Sequence, residues 1–171
     1  MIIKEKLGNL NNYETGGRAI DRLQIEWYEA GKRLLHKKTA SGREVIIKFL
    51  QNNYPLLHDD VVYEDEKFLV VIDIQACEVI SIKPASMYQM ACLCYEIGNK
   101  HLPLFYEADE VLVPFEAPLF RLLTVLDFAP KQEIRKLLYP LKTTVSPHSH
   151  SGNSGSLFSK ILQLTTPSAN A

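Results

Sequence analysis

The apolar pattern of this chain changes period once, and that change constrains the fold more than any other feature. Through residue 80 the apolar side chains recur at every second position or in short runs broken by turn residues, as strands require. In Ile20-Asp21-Arg22-Leu23-Gln24-Ile25-Glu26-Trp27 the apolar positions 23, 25 and 27 predict a half-buried strand. Residues 34–39 and 44–50 flank Ala40-Ser41-Gly42 and predict a hairpin; 61–63 and 68–72 flank Glu64-Asp65-Glu66-Lys67 and predict another. Short strands at this spacing predict a small β-sandwich or barrel over residues 1–76.

Residues 77–145 follow a different order. Residues 78–82 read as a strand that Pro84 stops, and Ser86 is a candidate N-cap for a helix reaching Asn99. Met87, Met90, Ala91, Cys94 and Ile97 are spaced to share one apolar helical face. Residues 104–106 and 111–113 read as strands around a turn at 107–110. Pro118 then opens a second helix carrying Leu119, Leu122, Leu123 and Leu126. With 142–145 as a last strand, the order is the β-α-β-β-α-β of a ferredoxin-like split unit. The expected class is therefore α+β: an N-terminal β domain (1–76), a ferredoxin-like domain (77–145) and a flexible tail (146–171). The tail carries one charged residue, Lys160, many serines, and an apolar cluster from Leu157 to Leu164 suited to docking on the body or a partner.

Charge and composition exclude several functions. Lys plus Arg is 19 and Asp plus Glu is 20, a net charge of −1, which argues against a nucleic-acid partner. No run approaches the roughly 18 apolar residues of a membrane span. Met1-Ile2-Ile3-Lys4-Glu5 does not read as a signal peptide. Three cysteines, Cys77, Cys92 and Cys94, form no pairwise framework and suit a reducing cytoplasm. Cys92 and Cys94 stand two apart on the expected helix, project about 200° apart and cannot share a metal. They read as small buried hydrophobes, and no motif supports pairing either with His101 as a nucleophile.

The five histidines separate by position. His36 lies on a polar strand and His58 beside Asp59 and Asp60; both read as solvated surface residues. His101 falls where the first helix must stop, before Leu102-Pro103. A neutral imidazole there suits a borderline transition metal, but one imidazole cannot hold an ion alone. A second copy of His101 would be supplied by two-fold symmetry. His148 and His150, two apart in an extended segment, point the same way and could meet one ion. No constellation of catalytic acid or nucleophile accompanies them, so they point to carrying a metal rather than using it.

Several stretches resemble a known family: Leu23-Gln24-Ile25-Glu26-Trp27, Lys38-Thr39-Ala40-Ser41-Gly42-Arg43, Glu96-Ile97-Gly98-Asn99-Lys100-His101 and Thr144-Val145-Ser146-Pro147-His148. They are similar to the UreE urease accessory proteins, a nickel metallochaperone family. The third stretch resembles the family's E-I-G-N-R-H signature with Lys100 in place of Arg, which keeps the charge and loses the planar fork. The resemblance implies a homodimer with His101 of both subunits at the interface, and leaves a dimer of dimers open. It implies His148 as a tail ligand, in a T-V-S-x-P-H stretch contracted by one residue, with His150 as an addition. The implied cargo is Ni(II), with Zn(II) or Cu(II) able to take the same site. The implied partners are the urease apoprotein complex and a maturation GTPase, contacted in part through the N-terminal domain. A copper or zinc carrier, a metal-independent interaction module and a cysteine hydrolase remain as alternatives.

Overall fold

Residues 1–49 and 55–141 are described by a computed structural model. The first part builds β1 (Ile2–Ile3), β2 (Gly8–Asn9), β3 (Ala19–Ile25), β4 (Leu34–Lys38), β5 (Glu44–Lys48), β6 (Asp60–Glu64) and β7 (Phe68–Ile74). They form two sheets, ordered β1-β5-β4 and β2-β6-β7-β3, with β3 parallel to β7. One core lies between them. Ile3, Leu35, Val45 and Ile47 enter it from the first sheet, and Leu23, Ile25, Val70, Ile72 and Ile74 from the second. Both expected hairpins form, and the two sheets make the sandwich that the alternation called for.

The buried carboxylate of Asp21 fastens the first hairpin's tip to β3: it accepts from the Ser41 amide (3.1 Å) and pairs with Arg43 (2.5 Å). The strand expected over 20–27 ends at Ile25 instead. Glu26 and Glu29 form a reciprocal capping box there that winds Trp27–Glu29 into a 3₁₀ turn. This turn swings Trp27 out of the alternation toward the second domain.

That domain contains β8 (Ala76–Ile82), α1 (Met87–Asn99), β9 (Phe105–Glu107), β10 (Glu110–Pro114), α2 (Ala117–Val125) and β11 (Lys131–Lys136). Its sheet, ordered β11-β8-β10-β9, is antiparallel at every pairing, the arrangement a split β-α-β-β-α-β unit produces. The fourth strand is Lys131–Lys136, ahead of the expected 142–145, which lies outside the described residues. Its Lys-Gln-Glu-Ile-Arg-Lys sequence has no apolar alternation. An edge strand joined to the sheet by backbone bonds and lined with charges does not need one.

Ser86 caps α1 as expected, its hydroxyl accepting from the Gln89 amide at 3.1 Å. The buried stripe of α1 differs from the expected one. Leu93 and Ile97 are fully buried with Met90 packed beside them, whereas Met87 is 85% exposed, Ala91 is exposed and Cys94 is half-buried. Ile97 and Met90 lie on the expected face, but the covered face is turned from Met87 and Ala91 toward Leu93. In α2, Leu119 and Leu123 face the same core. No helix among the described residues is long and apolar enough to cross a membrane.

Only Gln75 separates β7 from β8, so the domains share an almost continuous strand. Trp27 packs against both cores and meets Phe105 edge to face at 5.6 Å. Beside it, Lys136 of β11 donates to Asp73 of β7 at 2.7 Å.

Candidate metal centre

The end of α1 is built by three hydrogen bonds. The Lys100 amide donates to the Ile97 carbonyl (3.1 Å), the His101 amide to Gly98 (3.0 Å) and the Leu102 amide to Ile97 (3.5 Å). This is a Schellman closure, and it forces the residue after the cap into the left-handed region. That residue is His101, with φ of 55°. Glycine usually occupies this position; any Cβ there costs about 1 kcal/mol, although histidine tolerates it better than most residues. Leu102 then packs onto the core that contains Ile97, completing the motif's apolar contact.

The sharp turn leaves the imidazole outside the helix and exposed. It makes no side-chain hydrogen bond or ion pair among the described residues, so both ring nitrogens are uncommitted. A strained residue that a neutral glycine would relieve is the kind of outlier that points toward function. No three His, Cys, Asp or Glu groups come together as a metal site among the described residues. A metal held at His101 would therefore need ligands from a second chain or from outside the described residues.

Those residues leave from close by. After β11 the chain runs back along β9. The Tyr106 amide donates to the Tyr139 carbonyl (3.1 Å), Phe105 bridges Pro140, and the Leu141 amide donates to the Leu104 carbonyl (2.8 Å). The last described residue is thus bonded three positions from His101. His148 and His150 themselves lie outside the described residues. His148 is seven residues past Leu141, and an extended chain of that length spans up to about 24 Å.

A family model for the UreE urease accessory protein N-terminal domain matches residues 3–75, and one for the C-terminal domain matches 77–154. The chain belongs to the UreE family. It is 44% identical to the urease accessory protein UreE of Flavobacterium johnsoniae, over 96% of this chain and 99% of that one. Identity is 39% to the Actinobacillus pleuropneumoniae UreE, covering 82% and 78% of the two chains. The UreE of Acetivibrio thermocellus is 35% identical, covering 88% and 98%.

Two further histidines lie among the described residues. His36 is exposed on β4, as expected. His58 is a correction: its side chain is only 21% exposed, in the seam between the domains. Its Nδ1 accepts from the Ile74 amide at 3.2 Å, and its Nε2 lies 3.4 Å from Lys136 Nζ. Nothing local in the sequence reveals this, because Lys136 arrives from 78 residues away. The adjoining Asp59 adopts φ of 64°, the left-handed turn that Asp tolerates.

Two of the cysteines sit in surroundings that disfavour the thiolate. Burial pushes the Cys77 and Cys94 thiols up, keeping both protonated at neutral pH, and Cys94 donates to the Met90 sulfur at 3.8 Å. All three are free thiols.

Proposed function

We propose that this protein is a nickel metallochaperone, a homodimer that captures Ni(II) between the His101 side chains of its two subunits. His148 and His150 complete the shell from the tail. The ion then passes to the urease apoprotein complex, with a maturation GTPase as intermediary. The observation that carries this reading is His101 itself: an exposed imidazole with both nitrogens uncommitted, held outward at an energetic cost on a left-handed corner.

Two features support the remaining parts. The outward side of α1 carries Tyr88 at 81% exposure and Tyr95 at 69%, an apolar ridge leading to the His101 end and suited to a second copy of the same helix. The last described residue, Leu141, donates to the Leu104 carbonyl, three positions from His101 in sequence, which supports a ligand from the tail. Imidazole also accepts copper and zinc, and copper binds such ligands at least as tightly as nickel. Preference for nickel therefore lies in geometry and supply rather than in the donor atoms. Metal binds the neutral ring, so acid weakens capture and favours release.

The test is delivery. Apo-urease complex is incubated with nickel-loaded chain in the presence of a competing chelator, and urease activity is read. The unsubstituted chain is expected to activate, and His101→Ala to leave activity at the level of the chelated control. Activation by His101→Ala equal to that of the unsubstituted chain would refute the reading.

A further inference from the structure

His58 is surrounded by elements of both domains. From its own loop Asp59 Oδ2 lies 3.9 Å from Nε2, and from β7 Asp73 Oδ1 lies 3.6 Å from Nδ1. From β11 comes Lys136, and from β3 Arg22, whose guanidinium pairs with Asp59 at 2.6 Å. Because Nδ1 accepts from the Ile74 amide, the neutral ring carries its proton on Nε2. A second proton has only Nδ1 to occupy, where it would confront the Ile74 N–H and leave that amide without its acceptor. The imidazolium would also stand 3.4 Å from the Lys136 ammonium. The two carboxylates that could offset this are engaged elsewhere: Asp73 with Lys136 (2.7 Å) and Gln75 (3.0 Å), and Asp59 with Arg22.

We propose that His58 is a proton-sensitive fastener on the end of β7, beside the link between the domains, closed while the imidazole is neutral and released when it is protonated. Ile74 ends β7 one residue before the Gln75 link, so the bond at risk sits on the junction itself. Lys136 begins the segment that runs to Leu141, which ties the fastener to the root of the tail. In line with this geometry, burial first, and then Lys136 and Arg22 against the pull of Asp59 and Asp73, hold the ring below the ordinary histidine value of 6.5. The sign follows. The unfolded chain takes up the proton more readily, so the contribution is complete above 6.5 and is lost as the pH falls below it toward the lower folded value.

The test uses the metal-free full chain, so it does not depend on the nickel reading. The ring signal of His58 is followed by NMR through acidification, together with hydrogen exchange at the Ile74 amide. A midpoint below 6.5 is expected, with the protection of the Ile74 amide, its exchange relative to the intrinsic rate at each pH, falling about tenfold or more through the same transition. His58→Gln can still accept from Ile74 but gains no proton, and is expected to abolish the change in exchange. Lys136→Met removes the facing cation and should move the His58 midpoint upward. A midpoint at or above 6.5, Ile74 protection unaltered through it, or the loss of protection persisting in His58→Gln would each overturn the proposal. If His58→Gln does not fold, the unsubstituted chain's midpoint and Ile74 exchange decide.

Discussion

At the domain seam one imidazole has its acceptor nitrogen taken by a backbone amide and its other nitrogen crowded by an ammonium. At the end of α1 another imidazole has neither nitrogen bonded among the described residues. Both sit beside left-handed backbone, at Asp59 (φ 64°) and at His101 itself (φ 55°). What separates them is where the strain falls and what it accomplishes. At the seam the turn is taken by aspartate, which bears it easily, and the histidine is free to be buried and bonded. At the helix end the histidine bears the turn and is left facing solvent. On this proposal the engaged side chain holds structure together and the exposed one is kept for a ligand.

Substitutions can break or sharpen this contrast. The largest effect on stability is expected at the seam, from Trp27→Ala. Trp27 is half-buried against both cores and loses its edge contact with Phe105, so the cost falls near the lower end for large-to-small changes, about 3 kcal/mol. Chemical denaturation would measure it, and nickel affinity should be unaffected. A stability change under about 1 kcal/mol would show that the domains do not rely on this contact.

A smaller effect of opposite sign is expected at the helix end. His101→Gly relieves the left-handed backbone and should raise stability by about 0.5–1 kcal/mol while abolishing nickel capture. Loss of stability in that variant would mean that the histidine contributes to the fold, and the contrast with His58 would collapse.

Much of the fold was legible where residues served one role. The two hairpins announced themselves because their strands alternate around Ser41-Gly42 and around the acidic turn. The second helix did so because Pro118 fits a first turn and Leu119 and Leu123 share a face. In the first helix Met90 and Ile97 meet the core as their spacing predicts, but the covered face centres on Leu93 and a second apolar side faces outward through Tyr88 and Tyr95. Periodicity reports that a helix is amphipathic and does not say which apolar side is covered. The last strand escaped because its one apolar residue, Ile134, is 65% exposed and the strand exists through its backbone bonds to β8. The two-residue strands β1 and β2 are too short to leave a periodic trace. Of the candidate ligands, His101 was legible because a helix must end before Leu102-Pro103. The burial of His58 was not, because it depends on a lysine that reaches it only through the tertiary fold.

The most direct measurement is calorimetric titration of nickel into the unsubstituted chain, His58→Ala and His101→Ala at neutral pH. The first two should bind about one ion per pair of chains with similar affinity, and the chain truncated after Leu141 should bind more weakly. His101→Ala should lose the binding transition while remaining folded. Nickel affinity in His101→Ala equal to that of the unsubstituted chain would contradict the assignment of His101 as the anchoring ligand.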